Sequence, residues 1–227
     1  MTASASITAP PARKRRVKTL IALAVLAFGA LFLFMPGKAS FRGFDAPALG
    51  RAEGDLWRAY YERKYIELSA GLVLAENRAF GLSPWDSARS GVSAALAART
   101  FQTSRSRAEA QNALPELTKH FAIVAHATHS SFDPTQAAKL ELEWWQLRRE
   151  HIGPDGYAPA IAAATGYPYS ADPQRLMPYA NLRAEAMHLR DIRGDQITDE
   201  DWKQISDLLA RAYVALQIEI ATTAPAA

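Results

Sequence analysis

Residues 19–35, TLIALAVLAFGALFLFM, constrain this chain more than any other stretch: seventeen residues with no charge and a single hydroxyl. A helix of that length rises about 26 Å. Val17 and a snorkelling Lys18 extend it to the ~30 Å of a hydrocarbon core. The residues before it include Arg13, Lys14, Arg15, Arg16 and Lys18 and no acid, a local charge of +5. The positive-inside bias then predicts a single-pass protein of a bacterial inner membrane, with its N-terminus cytoplasmic and its C-terminal bulk periplasmic. The expectation is a retained anchor that contacts lipid through residues 19–35. The alternative is a cleaved signal peptide, with Gly37-Lys38-Ala39 after the helix-breaking Pro36 as its processing region. The segment holds no small-xxx-small pattern, so nothing in it specifies helix dimerisation.

The basic arm also explains the overall charge. The 227 residues sum to +3, so the chain beyond the arm sums to −2, which argues against nucleic acid as a partner. Cysteine is absent, which excludes a disulfide framework, thiolate-held zinc or iron–sulfur centres and a cysteine nucleophile.

Punctuation divides the chain into a basic cytoplasmic arm (1–18), an anchor (19–36), a Gly/Pro-rich linker (37–54), an exported domain (55–220) and a frayed tail (221–227). Strand patterns are nearly absent from the domain and helix signals are plentiful. Asp55 opens a long helix that Gly81 and Ser83-Pro84 terminate near Phe80. Ser83-Pro84-Trp85-Asp86 starts the next, with a hydroxyl cap, a first-position proline and an acid in the first turn. Ser106 to Glu109 forms a capping box for a helix reaching His129, with a kink at Pro115. Asp133-Pro134 opens another that closes at Gly153-Pro154. Pro178 to Arg193 is helical, with a short helical piece at residues 158–165. The last helix follows Thr198-Asp199-Glu200-Asp201, and its apolar stripe is the cleanest in the chain. The predicted fold is all-α: one N-terminal transmembrane helix, then an irregular bundle of about six helices.

Several residue groups are candidates for function. Leu140, Trp144 and Leu147 form one stripe of their helix, while Leu142 and Trp145 form a second on nearly the opposite side. A helix apolar on two sides is either central in a bundle or shared between the core and a partner. Residues 153–179 carry five prolines, three glycines and Tyr157, Tyr167, Tyr169 and Tyr179. They read as a long, proline-stiffened loop that presents rings beside the tryptophans. Trp144, Trp145 and these four tyrosines are the candidate ligand or partner surface.

Lys64 falls in the apolar stripe of the first helix, which suggests a polar network of Glu62, Lys64, Glu141, Arg148 and Glu185 inside the bundle. Glu185 and His188 form one Glu-x-x-His step, the unit that di-iron bundles use twice, so they are the candidate metal ligands. The second step is missing, and ordinary boundary packing accounts for the pair. His120, His126 and His129 cluster in one helix, but only the last two share a face. No cofactor is expected, because the phosphate-binding, nucleophile-elbow and zinc-protease motifs are absent. The sequence therefore points to a membrane-anchored, non-catalytic binding or scaffold domain with a protein partner in the membrane or periplasm. The alternatives are a metal-dependent bundle enzyme built on Glu185 and His188, or an accessory subunit of a membrane complex.

Overall fold

The computed structural model describes residues 37–150 and 153–222. The anchor and arm expected at residues 1–36 lie outside them, and among the described residues no helix is long and apolar enough to cross a membrane. What is described is all-helical. Nine α-helices follow in order: α1 Ala46–Tyr61, α2 Tyr65–Phe80, α3 Pro84–Thr103, α4 Arg107–Ala110, α5 Leu114–Ala127, α6 Pro134–Arg149, α7 Pro154–Tyr169, α8 Met177–Arg193 and α9 Asp199–Thr222. Each long helix packs mainly against its neighbours in the chain, and α1 packs against α9, which closes the circuit.

The expected linker at residues 37–54 is largely part of the bundle. Asp45 caps α1 by accepting a hydrogen bond from the Ala48 amide at 3.0 Å, and Phe44, Ala46 and Leu49 enter the main core. The glycines that read as flexible are instead places of close helix contact. A Cβ on Gly50 would lie 2.5 Å from the Ala210 backbone on α9, and one on Gly54 would lie 2.4 Å from Ser206 Oγ. Composition suggested a linker because a small-residue helical seam and a Gly-rich spacer use the same residues.

The long helix expected from Asp55 to Phe80 is two. α1 ends at Tyr61 in a Schellman motif: the Lys64 amide donates to Ala59 O at 2.9 Å and the Arg63 amide to Tyr60 O at 3.2 Å. Arg63 occupies the left-handed position at φ 59°. Helices usually end this way on glycine, which is why the break leaves no mark in the sequence. The same device ends α5 at His129 and α7 at Ser170, each non-glycine and at positive φ.

Two other expectations change. Pro115 stands in the first turn of α5 and starts that helix, with a short α4 and a 3-10 turn at Gln111–Ala113 before it. Residues 153–179 are mostly helix, not loop, because α7 absorbs Pro159 and Pro168. An interior proline costs about 3 kcal/mol, but α7 buries Tyr157, Ile161 and a run of alanines. A fully buried side chain such as Ile161 contributes roughly 1.5–3 kcal/mol, so the packing outweighs the lost hydrogen bond. Thr222 still belongs to α9, so that helix runs past its expected end at residue 220; residues 223–227 of the expected tail lie outside the described residues.

The main core joins α1, α6, α7, α8 and α9 around Tyr157, Ile161, Leu176, Tyr179, Met187, Leu216 and Ile220. A second cluster joins α3, α5 and α6 through Ala97, Leu117 and Leu142, and Trp145 packs on both. Helix α6 thus serves two cores, as its two apolar stripes require.

Candidate functional site

Trp144 and Trp145 are adjacent in sequence, so their side chains leave α6 about 100° apart. They nevertheless meet: the rings stand edge to face, 6.1 Å between centroids. Both line a cleft of about 460 Å³ between α1, α3, α6 and α8. Trp57, Tyr60 and Tyr61 of α1 form one wall and Phe101 of α3 another, with Arg148, Arg149 and Asp191 at its edges. Phe101 packs edge to face on Trp145 at 5.2 Å.

The charged groups of this cleft hold its walls. Arg148 donates to Tyr61 Oη at 2.7 Å and pairs with Asp191 at 2.7 Å, tying α6 to α1 and α8. Burial opposes its charge, but Tyr61 and Asp191 outweigh that and hold its pKa above the usual arginine value. Arg149 lies 4.1 Å above the Phe101 ring and donates to Ser104 Oγ at 2.7 Å and Gln146 Oε1 at 2.6 Å. Burial pushes the Tyr60 hydroxyl up to about 12, so it stays a neutral donor. The arrangement is a stiff aromatic slot, suited to stacking a flat or apolar group between fixed rings.

The tyrosines expected to join the tryptophans do not enter this slot. Tyr157 is buried and donates to Ala184 O at 3.0 Å. Tyr169 and Tyr179 are core residues, and half-buried Tyr167 stands edge to face with Phe132 at 6.4 Å. Tyr157 and Tyr169 point inward from the core-facing side of α7 and Tyr179 from that of α8, where a loop would have displayed them.

The expected polar network separates into unconnected pieces. Lys64 and Glu62 pair at 2.8 Å on the exposed α1–α2 turn, so Lys64 is not interior. The ammonium, then Arg58, holds Glu62 below its usual range. Glu141 accepts from Trp145 Nε1 at 2.9 Å, whereas Arg148 turns to Tyr61 and Asp191. Glu185 and His188 are both exposed on α8. Among the described residues no three His, Cys, Asp or Glu side chains stand close enough to hold a metal ion. A metal centre on Glu185 and His188 would therefore find no third ligand of these types among the described residues.

The interior does hold polar groups, but different ones. Arg183 of α8 donates to Glu53 Oε1 of α1 at 2.5 Å and to Tyr179 Oη at 2.6 Å, between the rings of Trp57 and Trp144. Burial works against its charge, but Glu53 together with Tyr179, Tyr213 and Glu141 outweighs it and holds the guanidinium well above its usual pKa. Ser90 donates to Glu76 Oε2 at 2.9 Å and lies 2.8 Å from His120 Nδ1. Desolvation raises the pKa of Glu76, partly offset by His120 and Ser90. Ser90 is fully buried, so its hydroxyl bridges two side chains and is not an accessible nucleophile. Both clusters line a second cavity of about 300 Å³, behind Trp145.

Sequence reasoning missed Glu53 because it fell in the supposed linker. Glu76 carried a legible signal, an acid amid the small and apolar residues of α2. Comparison of the chain with family models, curated proteins and solved structures finds no match.

Proposed function

We propose that this chain is a single-pass inner-membrane protein whose periplasmic helical domain binds another protein through the Trp144/Trp145 cleft, without catalysing a reaction. The observation that carries the reading is the convergence of two tryptophans from opposite stripes of α6 on one open cleft, together with Trp57, Tyr60, Tyr61 and Phe101. Aromatic side chains with arginine at the edge are the composition of interface hot spots, where rigid rings bury area at small entropic cost. The walls are held by Arg148 and Arg149 before any partner arrives, so little ordering remains to be done on binding. The membrane part of the proposal rests on the seventeen-residue uncharged run and the five cations before it.

Two experiments test it. Full-length protein is captured from detergent-solubilised membranes as wild type, Trp145→Ala and Tyr167→Ala. The partner is lost from the first variant and kept by the second, because Tyr167 lies outside the cleft. Equal capture by all three refutes the surface. Protease added to intact spheroplasts digests the domain if it is periplasmic; protection until lysis refutes the topology.

A further inference from the structure

The second cavity is not part of that surface, and its walls are unusual. About 300 Å³ of space lies among α1, α2, α5, α6, α7, α8 and α9, bounded mostly by apolar side chains such as Leu56, Leu72 and Phe121. Into this setting come three carboxylates, Glu53, Glu76 and Glu141, with one guanidinium, Arg183, and one imidazole, His120. Glu53 is in contact with Arg183 at 2.5 Å, and Glu76 faces His120 at 3.7 Å. Glu141 has no cation within ion-pair distance among the described residues; its oxygen accepts only from the neutral Trp145 indole. Arg183 thus serves two carboxylates, one in contact and one farther off.

A carboxylate in an apolar enclosure is costly unless a cation or several donors offset it. Glu141 stands half-buried at the edge of this largely apolar volume and is the one of its three carboxylates with no cation in contact among the described residues. We infer that the cavity is a binding site for a small organic monocation, an ammonium on a compact hydrocarbon body. Its charged head takes its place beside Glu141, and the body lies against Leu72 and Phe121. The Ser90-bridged pair of Glu76 and His120 closes the far side with its mutual hydrogen bonds made, so the head is drawn to the carboxylate that lacks a partner. This site is a different space from the aromatic cleft, and Trp145 lines both.

The test is a calorimetric titration of the full-length protein in non-ionic detergent with three probes of one shape: cyclohexylammonium, cyclohexanol and cyclohexanecarboxylate. Cyclohexylammonium binds about ten-fold more tightly than the alcohol, and the carboxylate does not bind. Glu141→Gln keeps an acceptor for the Trp145 indole, so the fold is undisturbed, and brings the ammonium down to the affinity of the alcohol. Ala75→Phe fills the cavity and abolishes binding of both. The inference is overturned if the alcohol binds as tightly as the ammonium, if the carboxylate binds best, if none of the three binds, or if binding survives Ala75→Phe. Failure here leaves partner capture by the cleft untouched, since neither variant alters a cleft residue.

Discussion

Replacing Arg183 by methionine isolates the strongest electrostatic commitment in the bundle. The guanidinium and the Glu53 carboxylate are only 15% and 12% exposed, so water screens them little. Methionine fills most of the arginine volume, and its thioether packs acceptably among Trp57, Trp144 and Tyr179. What is lost is the contact at 2.5 Å and the donor to Tyr179 Oη. Glu53 then keeps the Trp57 Nε1 donor at 3.2 Å and the neighbouring Tyr213 hydroxyl, but no cation among the described residues. Removing one partner of a buried ion pair costs about 3–5 kcal/mol, because the other is left charged and desolvated. For a domain of this size that lowers Tm by about 10 °C. Combining Arg183→Met with Glu53→Leu removes both charges and recovers most of the loss. The assay is thermal unfolding of the full-length protein and its variants, followed by far-ultraviolet circular dichroism. A single variant that melts within a degree or two of wild type, or a double variant below the single, refutes the reasoning.

Three further outcomes follow from the packing. Gly50→Ala places a methyl 2.5 Å from the Ala210 backbone and forces α1 off α9. It lowers stability by about 1–3 kcal/mol in the same melts although alanine favours helix, and an unchanged Tm contradicts the seam. Ser170→Gly relieves a left-handed residue at the end of α7. It stabilises by about 0.5–1 kcal/mol after the entropic cost of glycine, and a destabilised variant contradicts the Schellman assignment. Glu76 holds its proton more tightly when folded than its ordinary value of 4.5 implies, since burial raises its pKa. Its contribution therefore favours folding at low pH and is lost as pH rises from 4.5 through the raised folded value. Urea midpoints taken across that range fall less steeply for Glu76→Gln than for wild type, and equal slopes contradict the assignment.

Much of the architecture was legible because capping is local chemistry. Ser83 accepts from the Asp86 amide at 3.1 Å and Asp133 from the Thr135 amide at 2.9 Å, at the helix starts their residue types announce. Helix ends were harder. Arg63, His129 and Ser170 take positions usually filled by glycine, so α1 and α2 read as one element. The α1–α9 seam was illegible for a related reason: whether Gly50 and Gly54 loosen a chain or admit a neighbouring backbone depends on that neighbour, about 155 residues away. Prolines misled in the same way in α7, where tertiary burial overrode a local penalty.

The candidate site divides along the same line. Trp144 and Trp145 were identified from the double stripe of α6, a property of one helix. Their cleft partners Trp57, Tyr60 and Phe101 come from other helices and carry no shared spacing. The interior clusters Glu53–Arg183 and Glu76–Ser90–His120 join residues 130, 14 and 30 positions apart, beyond any motif of fixed spacing.

The central claim is that a protein seats itself in the aromatic cleft. Gln102 lines that cleft without taking part in its hydrogen-bonded walls. A benzophenone amino acid placed there, in cells making the full-length chain, captures whatever occupies the space on irradiation. The account predicts one discrete cross-linked protein, lost when Trp145 is also changed to alanine. Irradiation that yields no adduct, or an adduct that persists without Trp145, contradicts it.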